Sequence, residues 1–375
     1  MPLTRPRARD LGLMLPGTPG PCNAITDVPG VEVGFATIAR PAARPGDVQV
    51  YTGVTAILPR GRQAPLVPVL AGQFDLNGNG EMTGSHWIHD AGHFAGPVCL
   101  TNSHSVGIVH HATVRYLIET YADHYRKYHA WAMPVVAETY DGVCSDICGL
   151  HVTEAHALAA LRGARGGAVA EGNIGGGTGM ATYEFKGGTG TSSRRVAIGD
   201  RSYTVGVLVQ SNFGKRSELT VLGVPVGQHL TENAIFTDQS LPEQGSIVVI
   251  IATDVPMTAI QLRRLAKRGA LGIGRTGASG GHYSGDLMLA FSVANPIYQP
   301  AIGESQPHAF QYESLNDAHC DEVYPQAVDA VEEAVLNALV AAETIPTFKP
   351  PGLHLTAIDR SRLVALLAEQ GRIRA

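Results

Sequence analysis

Apolar and β-branched residues recur in short runs along the chain, each about the length of a buried strand. The runs lie at 31–38, 53–59, 134–140, 203–212, 246–255 and 287–295. Between them, apolar residues recur at helical spacing, which predicts helices at 105–123, 153–162, 258–269, 324–343 and 359–371. Two strand sets with helices on their outer faces would bury such runs, which favours a layered α/β sandwich over an all-β fold.

The pattern gives no sign of a domain boundary. A length of 375 residues fits either two domains or one large layered body. No internal repeat, heptad array or long Ser/Gly linker divides the chain. The segment LPEQG at 241–245 predicts a turn directly before a strand that begins with Ser246.

Composition and charge exclude several classes of protein. Hydrophobic residues make up 44% of the chain and charged residues 16%, as in a globular protein with a large core. The net charge is −5, from 33 acidic and 28 basic residues that are mixed along the sequence. No basic face is therefore offered to nucleic acid.

The sequence also argues against a membrane protein and against a metal site. No segment approaches about 18 unbroken apolar residues, so we predict no membrane span. The apolar stretch before Pro16 is too short for a signal peptide. The five cysteines fit neither a disulfide framework nor a zinc motif, which indicates reduced thiols and a cytoplasmic protein. The 15 histidines show no ligand spacing such as H-E-x-x-H, so we expect no metal and no cofactor.

The adjacent residues Gly245 and Ser246 have the chemistry of a self-cleaving site. A serine hydroxyl at the start of a rigid strand can attack the preceding carbonyl, and glycine permits a strained backbone there. Hydrolysis of the resulting ester would leave Ser246 with a free α-amine. Its ordinary pKa of about 7.7–8.0 suits a general base, so one residue would supply both nucleophile and base. Taken alone, however, a Gly-Ser pair usually just starts a strand.

Two further pairs of polar residues are each spaced two apart, so that both side chains of a pair share one face of an extended segment. In SGD, Asp286 could fix the hydroxyl of Ser284 and the new amine, and the hydroxyl could relay a proton. In AETYDG, Glu138 could hold a substrate ammonium and Tyr140 could donate to an oxyanion. The alternatives are a turn for SGD and an exposed strand end for AETYDG.

Asn212, in QSNFG, ends an apolar strand. Its side-chain amide could stabilise a developing oxyanion. Asn before Phe-Gly is also a good turn residue, so the position alone leaves both interpretations open.

Glycine-rich runs lie at 172–180 and 186–194. Neither matches G-x-x-x-x-G-K-[ST], and neither gives G-x-G-x-x-G between a strand and a helix. The runs are therefore a weak basis for phosphate binding. The segment LNGNGEMTG at 76–84 predicts a turn-rich loop whose Asn and Glu side chains could line a pocket.

Taken together, the motifs resemble successive blocks of the L-aminopeptidase/D-esterase-amidase family, which includes the β-peptidyl aminopeptidases. Several blocks in one order are far more specific than any one of them. They are, in chain order, ITDVPGVEVG, TGVTAILPRG, LNGNGEMTG, TNSHSVG, AETYDG, EGNIGGGTGM, QSNFG, GSIVVIIATDVPM and SGDLMLAFS.

This resemblance implies a four-layer αββα sandwich similar to that of N-terminal-nucleophile hydrolases, with a different strand connectivity. It implies one αββα domain over 1–375, self-cleaved into pieces 1–245 and 246–375 that stay associated. Relatives assemble as oligomers, so the resemblance also implies a homotetramer of cleaved pairs.

The resemblance also assigns roles to single residues. The family nucleophile falls on Ser246, its supporting serine on Ser284, and the nearby acid on Asp286. Asn212 and Tyr140 match the oxyanion donors. Glu138 matches the carboxylate that recognises the free amine of the substrate. Some relatives have Glu in place of Asp286, so the reach of this shorter side chain is in question.

We therefore expect a self-processing serine aminopeptidase that removes amino-terminal residues from small peptides, amides and esters through an acyl-enzyme on Ser246. One alternative is an acyltransferase of the ornithine acetyltransferase kind, although its nucleophile is threonine. A second alternative is a small-molecule-binding protein that has the fold and never matures.

Overall fold

The computed structural model describes residues 5–44, 47–63, 66–238, 245–296, 308–309 and 311–374. Two large sheets dominate these ranges. The four-stranded sheet has the order β1-β2-β5-β6, with β1 Glu32–Arg40, β2 Val50–Leu58, β5 Val98–Asn102 and β6 Val135–Thr139.

The six-stranded sheet has the order β4-β3-β12-β11-β10-β9. Its central pair, β11 and β12, is parallel, and the other neighbours are antiparallel. The strands are β3 Val69–Gly78, β4 His93–Phe94, β9 Gly188–Ile198, β10 Arg201–Asn212, β11 Ser246–Thr253 and β12 Gly285–Ser292.

Two short hairpins and eight helices complete the described part of the chain. The hairpins pair β7 Ala181–Thr182 with β8 Phe185–Lys186, and β13 Ile345–Pro346 with β14 His354–Leu355. The helices are α1 Ser85–Ala91, α2 Val106–Thr120, α3 Ala122–Lys127, α4 Glu154–Arg162, α5 Ile235–Asp238, α6 Ala259–Arg275, α7 Cys320–Val340 and α8 Arg360–Glu369.

The apolar residues form separate clusters that define four layers. One cluster joins α6 and α7 to the outer face of the six-stranded sheet. A second lies between the two sheets and contains Leu100 and Ala137 from one sheet and Val248 and Ile250 from the other. A third joins α2 and α4 to the outer face of the four-stranded sheet. The predicted αββα sandwich is therefore confirmed.

Strand β11 shows why its apolar run is continuous. Side chains alternate between the faces of a strand, so Val248 and Ile250 face the other sheet while Val249 and Ile251 face the helices. All eight residues of β11 are buried. The hydrophobic effect thus fixes the register of a strand that begins with Ser246, because both of its faces are covered by protein.

Most predicted elements form close to their expected positions, and the differences have physical causes. Strands β3 and β5 were not predicted, because glycine and polar residues interrupt the apolar pattern of β3 and because the apolar part of β5 is very short. Helix α7 begins at Cys320 rather than at 324. Of the turn predicted at 241–245, residues 241–244 lie outside the described ranges.

The glycine-rich run at 186–194 forms strand β9 rather than a phosphate loop. An added Cβ on Gly190 would lie 1.9 Å from the carbonyl oxygen of Ala334 in α7. The absence of a side chain therefore lets the helix lie directly on the strand. The other run, at 172–180, contains a short 3-10 helix, Gly175–Gly179, which is fully buried.

None of the helices in the described ranges is both long enough and apolar enough to span a bilayer.

We expect Gly190→Ala to destabilise the protein by about 1–3 kcal/mol or more, because the new methyl group collides with helix backbone that cannot move independently. Urea unfolding measures this change. Gly274→Ala is the matched control, since an added Cβ at that position in α6 meets no atom within 4 Å. It should be neutral or stabilise by up to about 1 kcal/mol. Equal stabilities of the two variants would contradict the proposed close approach.

Candidate active site

The start of strand β11 lies between two other strand ends. Ser246 is paired with Asn212, the last residue of antiparallel β10, and with Gly285, the first residue of parallel β12. Residues directly opposite each other in an antiparallel pair share a face, with Cβ atoms about 4.5–5.5 Å apart. The side chains of Ser246 and Asn212 are therefore neighbours, and both are buried.

Gly245 is held tightly against the end of β10. An added Cβ would lie 2.6 Å from the carbonyl oxygen of Asn212 and 2.6 Å from the Cα of Phe213, so no larger residue fits without movement. The carbonyl oxygen of Gly245 accepts a hydrogen bond from the N–H of Gly285 at 3.3 Å. This bond fixes the carbonyl group that directly precedes Ser246 and polarises it.

Ser284 and Asp286 form the pair that their spacing predicts. The Ser284 hydroxyl donates to Oδ1 of Asp286 at 2.6 Å, and Asn77 Nδ2 donates to Oδ2 at 2.9 Å. Burial raises the pKa of the Asp286 carboxyl, and the hydrogen bonds from Ser284, Asn77 and the Ile247 N–H oppose that rise. The aspartate, although shorter than glutamate, therefore reaches Ser284.

Asn212 is held by its oxygen. Its Oδ1 accepts a hydrogen bond from the backbone N–H of Ala181 at 2.7 Å. A side-chain amide whose oxygen is fixed in this way has its NH₂ group oriented as a donor. Because Asn212 lies opposite Ser246, that NH₂ group is a candidate donor to negative charge next to the serine hydroxyl.

Glu138 is a buried carboxylate near the end of β6. Its Oε1 accepts from the N–H of Glu81 at 3.0 Å, and its Oε2 accepts from the Ser103 hydroxyl. Burial raises the pKa of the Glu138 carboxyl, and these two hydrogen bonds oppose the rise. Both hydrogen-bond partners of the Glu138 carboxylate are neutral donors, so they do not neutralise its negative charge.

Glu138, Tyr140 and Ser246 line a common cleft of about 450 Å³. Burial raises the pKa of the Tyr140 hydroxyl, which keeps it protonated as a donor at neutral pH. The other residues that line the cleft are Asn79, Gly80, Ser103, Gly245 and Tyr283. A separate cavity of about 180 Å³, lined by Trp87, Trp131 and several histidines, contains none of the predicted site residues.

The structure brings Glu138 and Tyr140 into one cleft with Ser246. It places Asn212, Ser284 and Asp286 at the neighbouring strand ends beside Ser246, outside the lining of that cleft. It also adds residues to which the motifs gave no role. Asn77 lies in LNGNGEMTG and Ser103 in TNSHSVG, so both were inside recognised blocks. Local sequence patterns could not identify Asn77 and Ser103 as site residues, because their hydrogen-bond partners are more than 30 positions away in the chain. Within the described ranges, no group of three or more His, Cys, Asp or Glu side chains is arranged to hold a metal.

The sequence matches a known family over most of its length. The model of peptidase family S58 matches residues 23–350. The beta-peptidyl aminopeptidase BapA of Sphingosinicella microcystinivorans is 45% identical over 383 residues, which cover 99% of this chain and 94% of that protein. The protein of the same name from Sphingosinicella xenopeptidilytica is 44% identical over 357 residues, which cover 92% and 87%.

Solved structures agree with this match. The L-aminopeptidase D-Ala-esterase/amidase of Ochrobactrum anthropi, described as a new variant of the Ntn hydrolase fold, is 51% identical with a TM-score of 0.91, covering 99% of this chain and 100% of its own. A beta-aminopeptidase of a Burkholderia species is 43% identical with a TM-score of 0.88, covering 98% and 99%. These similarities do not favour an acyltransferase or a binding protein. The chain therefore belongs to peptidase family S58, and it is a hydrolase of the aminopeptidase type.

Proposed function

We propose that this aminopeptidase cleaves its own bond between Gly245 and Ser246 and then uses Ser246 as an amino-terminal nucleophile against small peptides, amides and esters. The observation that carries the proposal is the shared cleft of Ser246 and Glu138. A nucleophile and an unneutralised carboxylate in one cleft fit a substrate that has its ammonium next to the carbonyl under attack.

Self-cleavage begins when the Ser246 hydroxyl attacks the Gly245 carbonyl. The C–O bond forms, the C–N bond breaks, and the proton passes to the departing nitrogen, which leaves an ester. That step frees the α-amine of Ser246, and water then hydrolyses the ester to release the Ser246 hydroxyl and the carboxylate of Gly245. The hydrogen bond from the Gly285 N–H to the Gly245 oxygen supports this step, because it stabilises the charge that develops on that oxygen.

Substrate cleavage follows the same sequence. The α-amine of Ser246 takes the hydroxyl proton as Oγ attacks the first carbonyl of the substrate. The side-chain amide of Asn212 and the hydroxyl of Tyr140 stabilise the oxyanion. A well-placed donor contributes about 3–4 kcal/mol. The proton then passes to the leaving amine as the C–N bond breaks. Water hydrolyses the acyl-enzyme and releases the amino-terminal residue, with Ser284 and Asp286 orienting the proton transfers.

Glu138 is assigned as the residue that binds the substrate ammonium. Its carboxylate is buried and hydrogen-bonded only by neutral donors within the described ranges, although the charges of Glu81 and His104 also act on it. A substrate ammonium would therefore be a hydrogen-bonded cation that the carboxylate lacks. A buried charge gains most from such pairing, because little water competes there. This assignment explains cleavage at the amino terminus rather than within a chain.

Two further properties belong to the same proposal. The five cysteines are free thiols, which fits the reducing cytoplasm. The pieces 1–245 and 246–375 are proposed to remain one αββα body and to assemble as a homotetramer. A cleaved product is held together because β11, in the second piece, is paired with β10 of the first.

The substrate class can be narrowed by a reporter panel. The names of the relatives mention β-peptidyl substrates in two proteins and L-aminopeptidase and D-Ala-esterase activities in another. Amides of α- and β-amino acids, in L and D forms and with one common leaving group, would separate these possibilities.

We expect Ser246→Ala to remain a single chain without aminopeptidase activity, because the nucleophile of both reactions is removed. A denaturing gel and hydrolysis of an amino-acyl anilide measure the two losses. Ser279→Ala is the control, since that hydroxyl bonds Glu218 and is not part of the cleft. A Ser246→Ala protein that is still split and active would exclude Ser246 as the nucleophile.

We expect Glu138→Gln to raise KM for substrates with a free amine by about 10- to 100-fold, from the loss of a charge-assisted contact of about 1.5–3 kcal/mol. An ester with a blocked amine should be hydrolysed at an unchanged rate. Equal losses on both substrates would contradict the assigned role.

The raised pKa of Glu138 predicts a pH dependence. Only the ionised carboxylate binds the ammonium, and burial moves its protonation to a pH above the ordinary value of about 4.3. The ratio of kcat/KM for free-amine and amine-blocked substrates should therefore fall on acidification through the raised pKa. The ratio cancels the titration of the Ser246 amine, which acts on both substrates. Glu138→Gln should show a flat ratio in the same range, and an identical fall in the variant would show that another group is responsible.

A further inference from the structure

Lys186 is a completely buried lysine that has no carboxylate partner among the described residues. Its ammonium donates to three backbone carbonyl oxygens, those of Gly177 at 3.3 Å, Met180 at 2.8 Å and Gly187 at 2.8 Å. Three donors thus meet three acceptors, which is the complete set for an ammonium group. Burial of such a charge is costly unless it is fully hydrogen-bonded, as it is here.

One of these carbonyls belongs to a peptide group that also contacts the proposed oxyanion site. The peptide between Met180 and Ala181 accepts the Lys186 hydrogen bond through its oxygen. The same peptide donates through the Ala181 N–H to Oδ1 of Asn212 at 2.7 Å. A continuous series of hydrogen bonds therefore runs from Lys186 to the Asn212 amide.

The short hairpin of β7 and β8 holds this peptide against the end of β10. Lys186 is the cross-strand partner of Ala181. On either side of the Ala181 contact, the Thr182 hydroxyl donates to the Ser211 carbonyl at 2.8 Å and the Tyr183 N–H donates to the Phe213 carbonyl at 2.7 Å. These contacts hold the hairpin against β10, and the Met180 oxygen accepts from the Gly187 N–H at 2.9 Å as well as from Lys186. Lys186 therefore adds a charged donor to an oxygen that a backbone N–H already holds.

We propose that Lys186 is a positioning residue that orients and polarises the Asn212 amide for oxyanion stabilisation. The proposal rests on the proposed function, in which Asn212 donates to the oxyanion beside Ser246. Lys186 does not line the cleft, so it acts through the intervening peptide.

The physical reason is cooperativity along hydrogen bonds that share one direction. A cation on the carbonyl oxygen draws electron density from the peptide, which makes the Ala181 N–H a stronger donor. That donor in turn draws density from the Asn212 carbonyl and strengthens its NH₂ group as a donor. An electrostatic contribution prepared before the reaction needs no reorganisation in the transition state.

Several effects act on the charge of Lys186. Burial lowers the pKa of the Lys186 ammonium to about 7, Cys144 opposes that change and Arg5 adds to it. The three carbonyl oxygens accept hydrogen bonds from the charged form and therefore favour it. Replacement by methionine keeps the length of the side chain and removes both the donors and the charge.

A double-mutant cycle with Asn212 tests the link. We expect Lys186→Met to lower kcat by about 10- to 100-fold with KM within about twofold. The reason is that a misplaced or weakened donor loses much of its stabilisation of the oxyanion. In an Asn212→Ala background, the same substitution should change kcat by less than about twofold. Each rate is divided by the amount of cleaved chain, which a denaturing gel measures. If Lys186→Met does not self-cleave, Lys186→Gln is used in its place, and Asn212→Ser likewise replaces Asn212→Ala.

Arg60→Met is the matched control. The Arg60 guanidinium also donates to three backbone carbonyls, those of Val293, Pro68 and Asn295, and none of their peptides contacts Asn212. The Arg60→Met variant should have a lower urea midpoint of unfolding and an unchanged kcat.

Three results would overturn the link. Equal factors of loss for Lys186→Met in both backgrounds, or failure of both Lys186 variants to fold, would assign the lysine to the core alone. An Asn212→Ala variant with the kcat of the unaltered protein would overturn the oxyanion role of Asn212, and the link with it.

Discussion

The register of β11 between β10 and β12 is the constraint on which the whole site depends. It places Ser246 opposite Asn212 on one side and opposite Gly285 on the other. A shift by one residue would turn Ser246 to the helical face and place Ile247 between the sheets. The alternating apolar residues further along β11 prevent that shift, because they are divided between two separate cores. The position of the proposed nucleophile is thus maintained by packing remote from the chemistry.

Buried carboxylates have neutral partners in the candidate site and cationic partners in the structural core. Glu333 is completely buried, but hydrogen bonds from Arg9 and the charge of Arg194 outweigh the effect of burial and lower the pKa of its carboxyl. Glu138 and Asp286 are instead held by hydroxyl, amide and N–H donors, and burial raises the pKa of each carboxyl. Neutral partners orient a carboxylate without cancelling its charge. In the proposed mechanism, that charge pairs with an ammonium of the substrate or of the freed Ser246 amine.

Close backbone contacts explain much of the high glycine content. Gly190 allows α7 to lie on β9, Gly245 allows the chain to enter β11 against the end of β10, and Gly285 allows the loop at Asn79 to cover β12. At each position a Cβ would meet backbone, which cannot turn aside as a side chain can. These glycines therefore allow close packing of backbone in the core and beside the proposed site.

The sequence by itself determined the layered fold class, most strands and helices, and the residue types with suitable chemistry, because hydrophobic periodicity and residue spacing are local properties. It also placed Ser284 next to Asp286 and Glu138 next to Tyr140, since two residues apart on an extended segment share a face. The family followed from the order of motifs along almost the whole chain.

Only the tertiary structure decided which distant residues meet. The contacts of Asn77 with Asp286, Ser103 with Glu138, and Ala181 with Asn212 join segments 209, 35 and 31 positions apart. Strand pairing between such segments depends on the packing of complete layers, which no local pattern encodes. For the same reason the glycine-rich run at 186–194 had no interpretation as a strand until helix α7 was seen to lie on it.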